Sequence, residues 1–568
     1  MTTSTNESID TAIAELQKGE AVWASLSLAE RRALLAATVD ATIAVSDRWV
    51  EVAREIKQLP ADSPLVGEEW ISGPYPFLGA LGALQGSLVA LEAGGSPVDG
   101  YTIRDAPGGR QAVQVLPHDI FDSLLLSGFS AEVWTTPGVS AQAVRDGAGL
   151  GQRTPALTGG VGAVMGAGNI FSIAPLDVIY ELFSSNRVAL LKLNPITDPL
   201  LPVFEAAFAP FIERGLVRIV TGGADVGTQI VHHAAIDHVH MTGSARTHDA
   251  IVFGTGPDGA ARKGAGTPLL HKPITSELGG VSATIVLPGE WSERDLRFQA
   301  EHVVTQKLHN NGYNCVASQV LVLSADWPQK EAFLSVLRQA YEAAPSRPAY
   351  YPGSADRVES AHERYDDAAL VGAGGTRTLL PHLDAGIDEA AFTTEYFSPV
   401  MGVTELPGTG QAFLDAAVGF ANDRCQGTLG VNLIAHHKTI AALGQGLDQA
   451  IADLRYGTVA LNAWTGVAFL TARASWGAFP GHTLDDIQSG IGVVHNALLL
   501  DHTERTVVRG PFRPFPRSLA TGQLSISPRP PWFVTNSTAD TTGRLLTDFA
   551  AHPRWAALPA IFVSALRG

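Results

Sequence analysis

Between Trp23 and Leu59 apolar residues recur at helical spacing, continuing through Trp49, Val52 and Ile56, and this predicts two or more amphipathic helices near the start of the chain. From Gly160 the pattern changes to short apolar runs alternating with helical stretches. Gly162 to Gly166 reads as a buried strand, Pro175 to Phe183 as a helix, and Val188 to Leu193 as a second strand. The unit then repeats: helix Pro199 to Arg214, strand Val217 to Val220, helix Val226 to His232, strand His238 to Met241, helix Ala245 to Phe253. Such alternation predicts a parallel sheet covered by helices on both faces, a nucleotide-binding architecture in outline. A second series of strands, at Ser282 to Leu287, Val320 to Leu323, Val400 to Thr404, Leu429 to Ile434 and Val459 to Leu461, marks a second α/β domain.

Two regions break the pattern. Between Pro60 and Gly160 glycines and prolines dominate, and the stretches Ala112 to Leu116 and Ala131 to Trp134 read as strands of an arm or hairpin in an otherwise irregular region. After Asn496 the chain is rich in Pro, Arg and Ser, with Pro511 to Pro516 and Pro528 to Pro531, and this predicts an extended segment laid along a surface. The apolar Trp555 to Leu566 is too short to span a membrane and holds Pro559, so it is expected to be a packing or oligomer-contact tail.

Composition narrows the partners. With 39 basic against 56 acidic residues the net charge is −17, spread along the chain, which argues against nucleic acid and anionic membranes as general partners. The polar Met1 to Ala12 lacks the charged start and apolar core of a secretory signal, so cytoplasmic residence is expected. Only two cysteines occur, with no disulfide framework and no metal-ligand spacing.

One of them, Cys315, stands in the turn His309-Asn-Asn-Gly-Tyr-Asn-Cys315 between a helical stretch and a strand. A thiolate is the strongest protein nucleophile near neutral pH, although a lone cysteine beside an apolar strand also serves as a small core residue. Asn169, in Gly166-Ala-Gly168-Asn169, can donate to a developing oxyanion or simply shape a turn; Phe171 stands where a dinucleotide fingerprint has its third glycine. Ser244, in Thr242-Gly243-Ser244, joins a strand to a helix and suits either a pyrophosphate or an ordinary N-cap. Glu277, in Glu277-Leu278-Gly279-Gly280, precedes the second domain, where a cleft between domains offers a carboxylate the role of general base. Lys192 closes a parallel strand, and Glu395 begins Glu395-Tyr-Phe397-Ser-Pro399.

Taken in order, these segments resemble the aldehyde dehydrogenase superfamily across roughly residues 15 to 495. The resemblance implies an α/β fold with a Rossmann-type cofactor domain, a second α/β catalytic domain and a small β oligomerisation arm. Residues 1–277 are then the N-terminal helices and cofactor domain, including an irregular β arm at about 110–155; 278–475 carry the nucleophile, and 476–568 return to the cofactor and oligomerisation region and add an atypical C-terminal extension. It further implies Cys315 as nucleophile, Glu277 as base and Asn169 as oxyanion donor, with no metal. Lys192, Thr242, Gly243, Ser244, Leu278, Gly279, Glu395 and Phe397 are the residues it assigns to the cofactor. NAD-preferring relatives commonly carry Glu three residues after the lysine; here Pro195 leaves NADP open beside NAD. The implied reaction is oxidation of an aldehyde, apolar or aromatic from the scarcity of charge near the motifs, to a carboxylic acid, by a homodimer or higher homo-oligomer. A CoA-acylating dehydrogenase or acyl-CoA reductase, and a non-catalytic structural protein on the same fold, are the alternatives; Glu277 argues against the first, and the retained nucleophile, base and oxyanion donor against the second.

Overall fold

The computed structural model describes residues 2–157 and 159–568, with the side chains of the first eight residues left aside. The chain opens with two long helices, Thr2–Ser25 and Leu28–Ile56; the second starts at a capping box in which Ser27 and Glu30 satisfy each other's backbone N–H groups. Edge-to-face aromatic contacts, Trp49 on Phe204 at 5.0 Å and Trp23 on Phe183 at 5.2 Å, seal these helices onto the first α/β unit.

Six strands form the first sheet, in the order Gly490–Ile491, Ile274–Leu278, His238–Gly243, Val161–Met165, Val188–Lys192, Val217–Val220. All pair in parallel except the short Gly490–Ile491 edge. The chain leaves Val161–Met165 toward Val188–Lys192 on one side and returns on the other as His238–Gly243, so strand order reverses there. In open parallel sheets a crevice opens beyond the carboxyl ends of the strands at this reversal.

The second sheet has eleven strands. Its parallel centre runs Thr503–Arg509, Thr458–Leu461, Gly430–Ile434, Ser282–Val286, Ser318–Ser324, Val400–Leu406, Arg377–Leu383. The predicted arm strands are present as Arg110–Leu116 and Ser130–Thr135, but they do not stand apart. Ser130–Thr135 pairs antiparallel with Thr503–Arg509, which itself pairs with Thr458–Leu461, so the arm extends the second sheet within one chain.

Three expectations need correction. The region from 60 to 110 is not irregular: Pro74–Glu92 is a 19-residue helix. Its prolines fall in the first turn, where a missing N–H costs nothing, and it is apolar around most of its circumference because it lies between the Leu28–Ile56 helix and the C-terminal extension. The helix expected from Pro199 to Arg214 is broken into the 3₁₀ turn Pro195–Leu200 and the short helices Leu201–Ala207 and Ala209–Ile212, each interrupted or restarted at a proline. Beyond residue 510 the chain is a strap only in part. Arg513 and Arg517 bind the buried Asp295 at 2.8 and 2.5 Å, and then Ala539–Ala551 and Leu558–Ala565 form helices, the first packed on the helices Gly67–Ile71 and Pro74–Glu92, where Trp70 Nε1 donates to Asp540 at 2.9 Å. No helix among the described residues is long and apolar enough to cross a membrane.

Candidate active site

The crevice predicted by topology is a cavity of about 700 Å³ lined by Gly166 to Asn169, Lys192, Met241 to Ser244, Glu277, Gly279, Cys315, Glu395 and Phe397. Its floor is made of the turns that leave two parallel strands at their carboxyl ends. Gly168 and Gly243 keep those turns low; a Cβ on Gly168 meets the Asn194 side chain at 2.7 Å. Ser244 caps the Ala245–Val252 helix through the Thr247 N–H, so the first free N–H groups of that helix face the cavity.

Cys315 follows a turn that needs left-handed backbone at three successive residues, Asn310 (φ 52°), Asn311 (φ 56°) and Gly312 (φ 77°). Asparagine tolerates that region better than most residues, and Gly312 is required, because a Cβ there lies 2.7 Å from the Ser398 carbonyl. The half-buried thiol reaches both the large cavity and a second, narrow pocket of about 40 Å³ on its other side. Burial, then the negative charge of Glu277 and the Glu277–thiol hydrogen bond, push the thiol well above its usual range, so it is protonated in this state. Both residues line the same cavity.

Glu277 lies within the Ile274–Leu278 strand at 2% exposure, and Trp476 Nε1 donates to its Oε1 at 3.3 Å. Burial pushes its carboxyl up to about 7; Asp177 adds to the rise, and the hydrogen bonds from Cys315 and Trp476 oppose it. A carboxylate tuned there exchanges protons readily at neutral pH. Asn169 Nδ2 donates to the Tyr313 carbonyl at 3.1 Å. A carboxamide nitrogen has a second N–H, so this bond fixes the group beside the nucleophile turn and leaves one donor free.

On the opposite wall Glu395 is pushed up to about 8 by burial and by Glu277, while the Gly280 N–H and Lys307 pull it back. Its Oε1 is buried without a hydrogen-bond partner. Gly279 is mandatory beside it, since a Cβ falls 1.9 Å from that oxygen. Phe397 holds a positive φ of 42° and packs against Tyr351 at 5.0 Å, with Arg357 donating to its carbonyl at 3.3 Å. Lys192, 9% exposed, has its ammonium pushed down by burial, with Asp198 and Asp225 opposing.

Two of the expected cofactor residues sit differently from the rest. The Leu278 side chain belongs to the core and does not line the cavity; its N–H donates to the Ser489 carbonyl at 2.8 Å. Thr242 lines the cavity, but its hydroxyl donates inward to the buried Asp177 at 3.2 Å.

The sequence reading also missed a buried ionic network behind the nucleophile turn. Glu68 accepts from the Asn310 N–H at 2.9 Å and from Arg347 at 2.5 Å, and the Tyr350 hydroxyl donates to Asn310 Oδ1 at 3.1 Å and the Asn169 carbonyl at 3.3 Å. Asn310 Nδ2 joins the same carbonyl to that of Tyr313, at 3.0 and 2.8 Å. One network thus holds the strand-end loop and the nucleophile turn in register. Lys307, pushed down to about 7 by burial, and Trp476 were likewise unread; no local motif distinguishes them.

The cavity fits a dinucleotide on its own chemistry: glycine-floored strand ends, capped helix N–H groups, a buried lysine, and an unpaired carboxylate oxygen suited to a ribose hydroxyl. Pro195 starts a 3₁₀ turn capped by Asn194 and carries no carboxylate itself, but Asp198 in the same turn acts on Lys192, while Arg246 and His232 line the same cavity.

Residues 191–353 match the model of the Aldehyde dehydrogenase family. Over 277 residues the chain is 24% identical to geranial dehydrogenase of Castellaniella defragrans, covering 46% of this chain and 52% of that protein. Over 168 residues it is 29% identical to succinate-semialdehyde dehydrogenase (NADP(+)) 1 of Mycobacterium tuberculosis, covering 27% and 35%. The chain thus spans about half, or less, of the length of these curated relatives. Among solved structures, the aldehyde dehydrogenase KauB from Pseudomonas aeruginosa superposes with a TM-score of 0.58 at 17% identity over 89% of each chain. A gamma-glutamyl-gamma-aminobutyraldehyde dehydrogenase from Burkholderia cenocepacia superposes with a TM-score of 0.59 at 19% identity over 88% of each. These two likenesses are of fold.

Proposed function

We propose that this chain, which belongs to the aldehyde dehydrogenase superfamily, oxidises an aldehyde to a carboxylic acid with NAD or NADP through a covalent intermediate on Cys315. The observation that carries the reading is the meeting, in the lining of one cavity, of Cys315, Asn169, the buried Glu277 carboxyl pushed up to about 7, and Glu395 with its unpartnered Oε1.

Glu277 takes the thiol proton as Cys315 Sγ bonds to the aldehyde carbon, and the carbonyl oxygen becomes an oxyanion. The free N–H of Asn169 Nδ2 and the Cys315 backbone N–H stabilise that charge, which exists only along the reaction path. A bound NAD or NADP supplies acceptance of the hydride from the carbon attached to sulfur, which leaves a thioester on Cys315. Glu277 passes the thiol proton to solvent and, again a carboxylate, draws a proton from water as the water oxygen adds to the thioester; the C–S bond breaks, the leaving thiolate takes that proton from Glu277, and the acid departs with thiol and carboxylate both restored. Lys192, Gly243, Ser244, Gly279, Glu395 and Phe397 hold the cofactor in this reading, Ser244 at the pyrophosphate and Glu395 at the nicotinamide ribose. With Thr242 bonded inward and Leu278 in the core, their parts are backbone ones. Pro195 with Arg246 in the cavity favours tolerance of a 2′-phosphate. The same reading takes the protein as a cytoplasmic homo-oligomer.

An aldehyde panel run with NAD and NADP in parallel tests the reading. Cys315→Ala abolishes oxidation and keeps cofactor binding; Glu277→Gln slows thioester formation and blocks its hydrolysis, so that no more than about one reduced cofactor per site is released. Normal steady-state turnover by Cys315→Ala overturns the mechanism, and a thioester formed only when CoA is added moves the chain to the acylating class.

A further inference from the structure

The narrow pocket beside Cys315 is lined by Ile71, Ile173, Trp464 and Leu470 among others, and it faces away from the dinucleotide cavity. Ile71 and Leu470 also wall a much larger chamber of about 470 Å³. That chamber lies between the Pro74–Glu92 helix, the short helix Ile120–Leu125, and the C-terminal extension, which contributes Trp532, Leu546, Phe549 and Ile561. Phe121 closes one side against Phe549 and Trp555, with ring centroids 5.2 and 4.9 Å apart. Of the charged groups on the wall, Asp119, Asp122 and Arg473, the last two face each other at 3.9 Å, leaving no unpaired cation for an anionic ligand. A mostly apolar space of this size holds a ligand of drug-like volume.

We propose that the C-terminal extension roofs a binding chamber for the apolar tail of the substrate, so that this chain acts on long-chain or similarly bulky apolar aldehydes whose carbonyl passes between Ile71 and Leu470 to Cys315. The inference rests on the aldehyde-oxidising reading above and adds the substrate class and the role of the extension. The observation that carries it is that the chamber and the pocket beside Cys315 share the walls Ile71 and Leu470, and the Pro74–Glu92 helix offers a place to test it. At Gly82, which lines the chamber, a Cβ meets nothing within 4 Å. At Gly86, one turn on and outside the chamber, a Cβ is equally unobstructed.

The experiment measures kcat/KM of the full-length protein on straight-chain aldehydes from propanal to decanal with saturating NAD or NADP. Burying one methylene contributes about 0.8 kcal/mol, a factor of about four, so kcat/KM is expected to climb at least tenfold across the series. Gly82→Leu fills the chamber and lowers the decanal-to-propanal ratio at least tenfold, while Gly86→Leu, with the same helix-propensity gain, leaves the ratio as in the parent. A parent that oxidises propanal and decanal equally well overturns the chamber, as does a Gly82→Leu ratio unchanged from the parent. A protein that oxidises no aldehyde of any length overturns instead the reading under Proposed function. Should Gly82→Leu fail to fold, inhibition of parental propanal oxidation decides: decanoate at least tenfold more potent than butyrate supports the chamber, and equal potency removes it.

Discussion

Glu277→Gln should stabilise the protein while it stalls the reaction, and the stabilisation should grow with pH. In an unfolded chain Glu277 titrates near 4.5; burial in the folded protein moves it to about 7. The folded state therefore binds this proton more tightly, and the stability it contributes is full below about pH 4.5 and is lost as pH rises through about 7. The rise corresponds to about 3 kcal/mol. A glutamine has no charge to desolvate and still offers Oε1 to Trp476. Its advantage over the parent is then expected to grow by about 2 kcal/mol between about pH 5.5 and about pH 8.5. Urea titrations of both proteins without cofactor, followed by tryptophan fluorescence at the two pH values, measure it as the midpoint difference multiplied by the slope. A difference that is the same at both pH values, or a parent that gains stability relative to the variant as pH rises, refutes the attribution of the raised pKa to burial of this carboxylate. The trade is a physical one: a base poised near neutral pH is held where its charged form is poorly solvated.

Other expectations follow from the same geometry. Gly279→Ala places a Cβ 1.9 Å from Glu395 Oε1 and must displace that carboxylate or the strand end; cofactor affinity measured by fluorescence titration is expected to fall at least tenfold, with the fold intact by circular dichroism. Arg347→Met removes the partner of the buried Glu68, at 2.5 Å, and leaves a carboxylate short of its countercharge; a loss of about 3–5 kcal/mol in unfolding free energy is expected, and Glu68→Gln in the same background should restore part of it.

Local pattern made a large part of the molecule legible. Strands Val161–Met165, Val188–Lys192 and His238–Gly243 fall where alternating apolar runs predict them, because a parallel strand covered on both faces must be apolar throughout. Asn169, Lys192, Glu277, Cys315 and Glu395, each ambiguous alone, were candidates because their motifs in order resemble a known family, and the structure brings them to the lining of one cavity. The Pro74–Glu92 helix was not, since its prolines and glycines carry the signature of loops and only its burial between two other helices makes a helix of it.

The sequence by itself determined the two α/β series and the order of their strands along the chain, because strand periodicity is a local property, and it offered Cys315, Glu277 and Glu395 as candidates through the order of their motifs. Tertiary structure alone decided the rest. Glu68 and Arg347 meet across 279 residues to register the nucleophile turn against Asn169, and burial, not residue type, sets Glu277 to about 7. The C-terminal extension closes a chamber over the Pro74–Glu92 helix in the same way. Such contacts arise from where folded elements pack, and the electrostatic cost of burying a charge depends on every neighbour that excludes water, so neither is written in any short stretch of the chain.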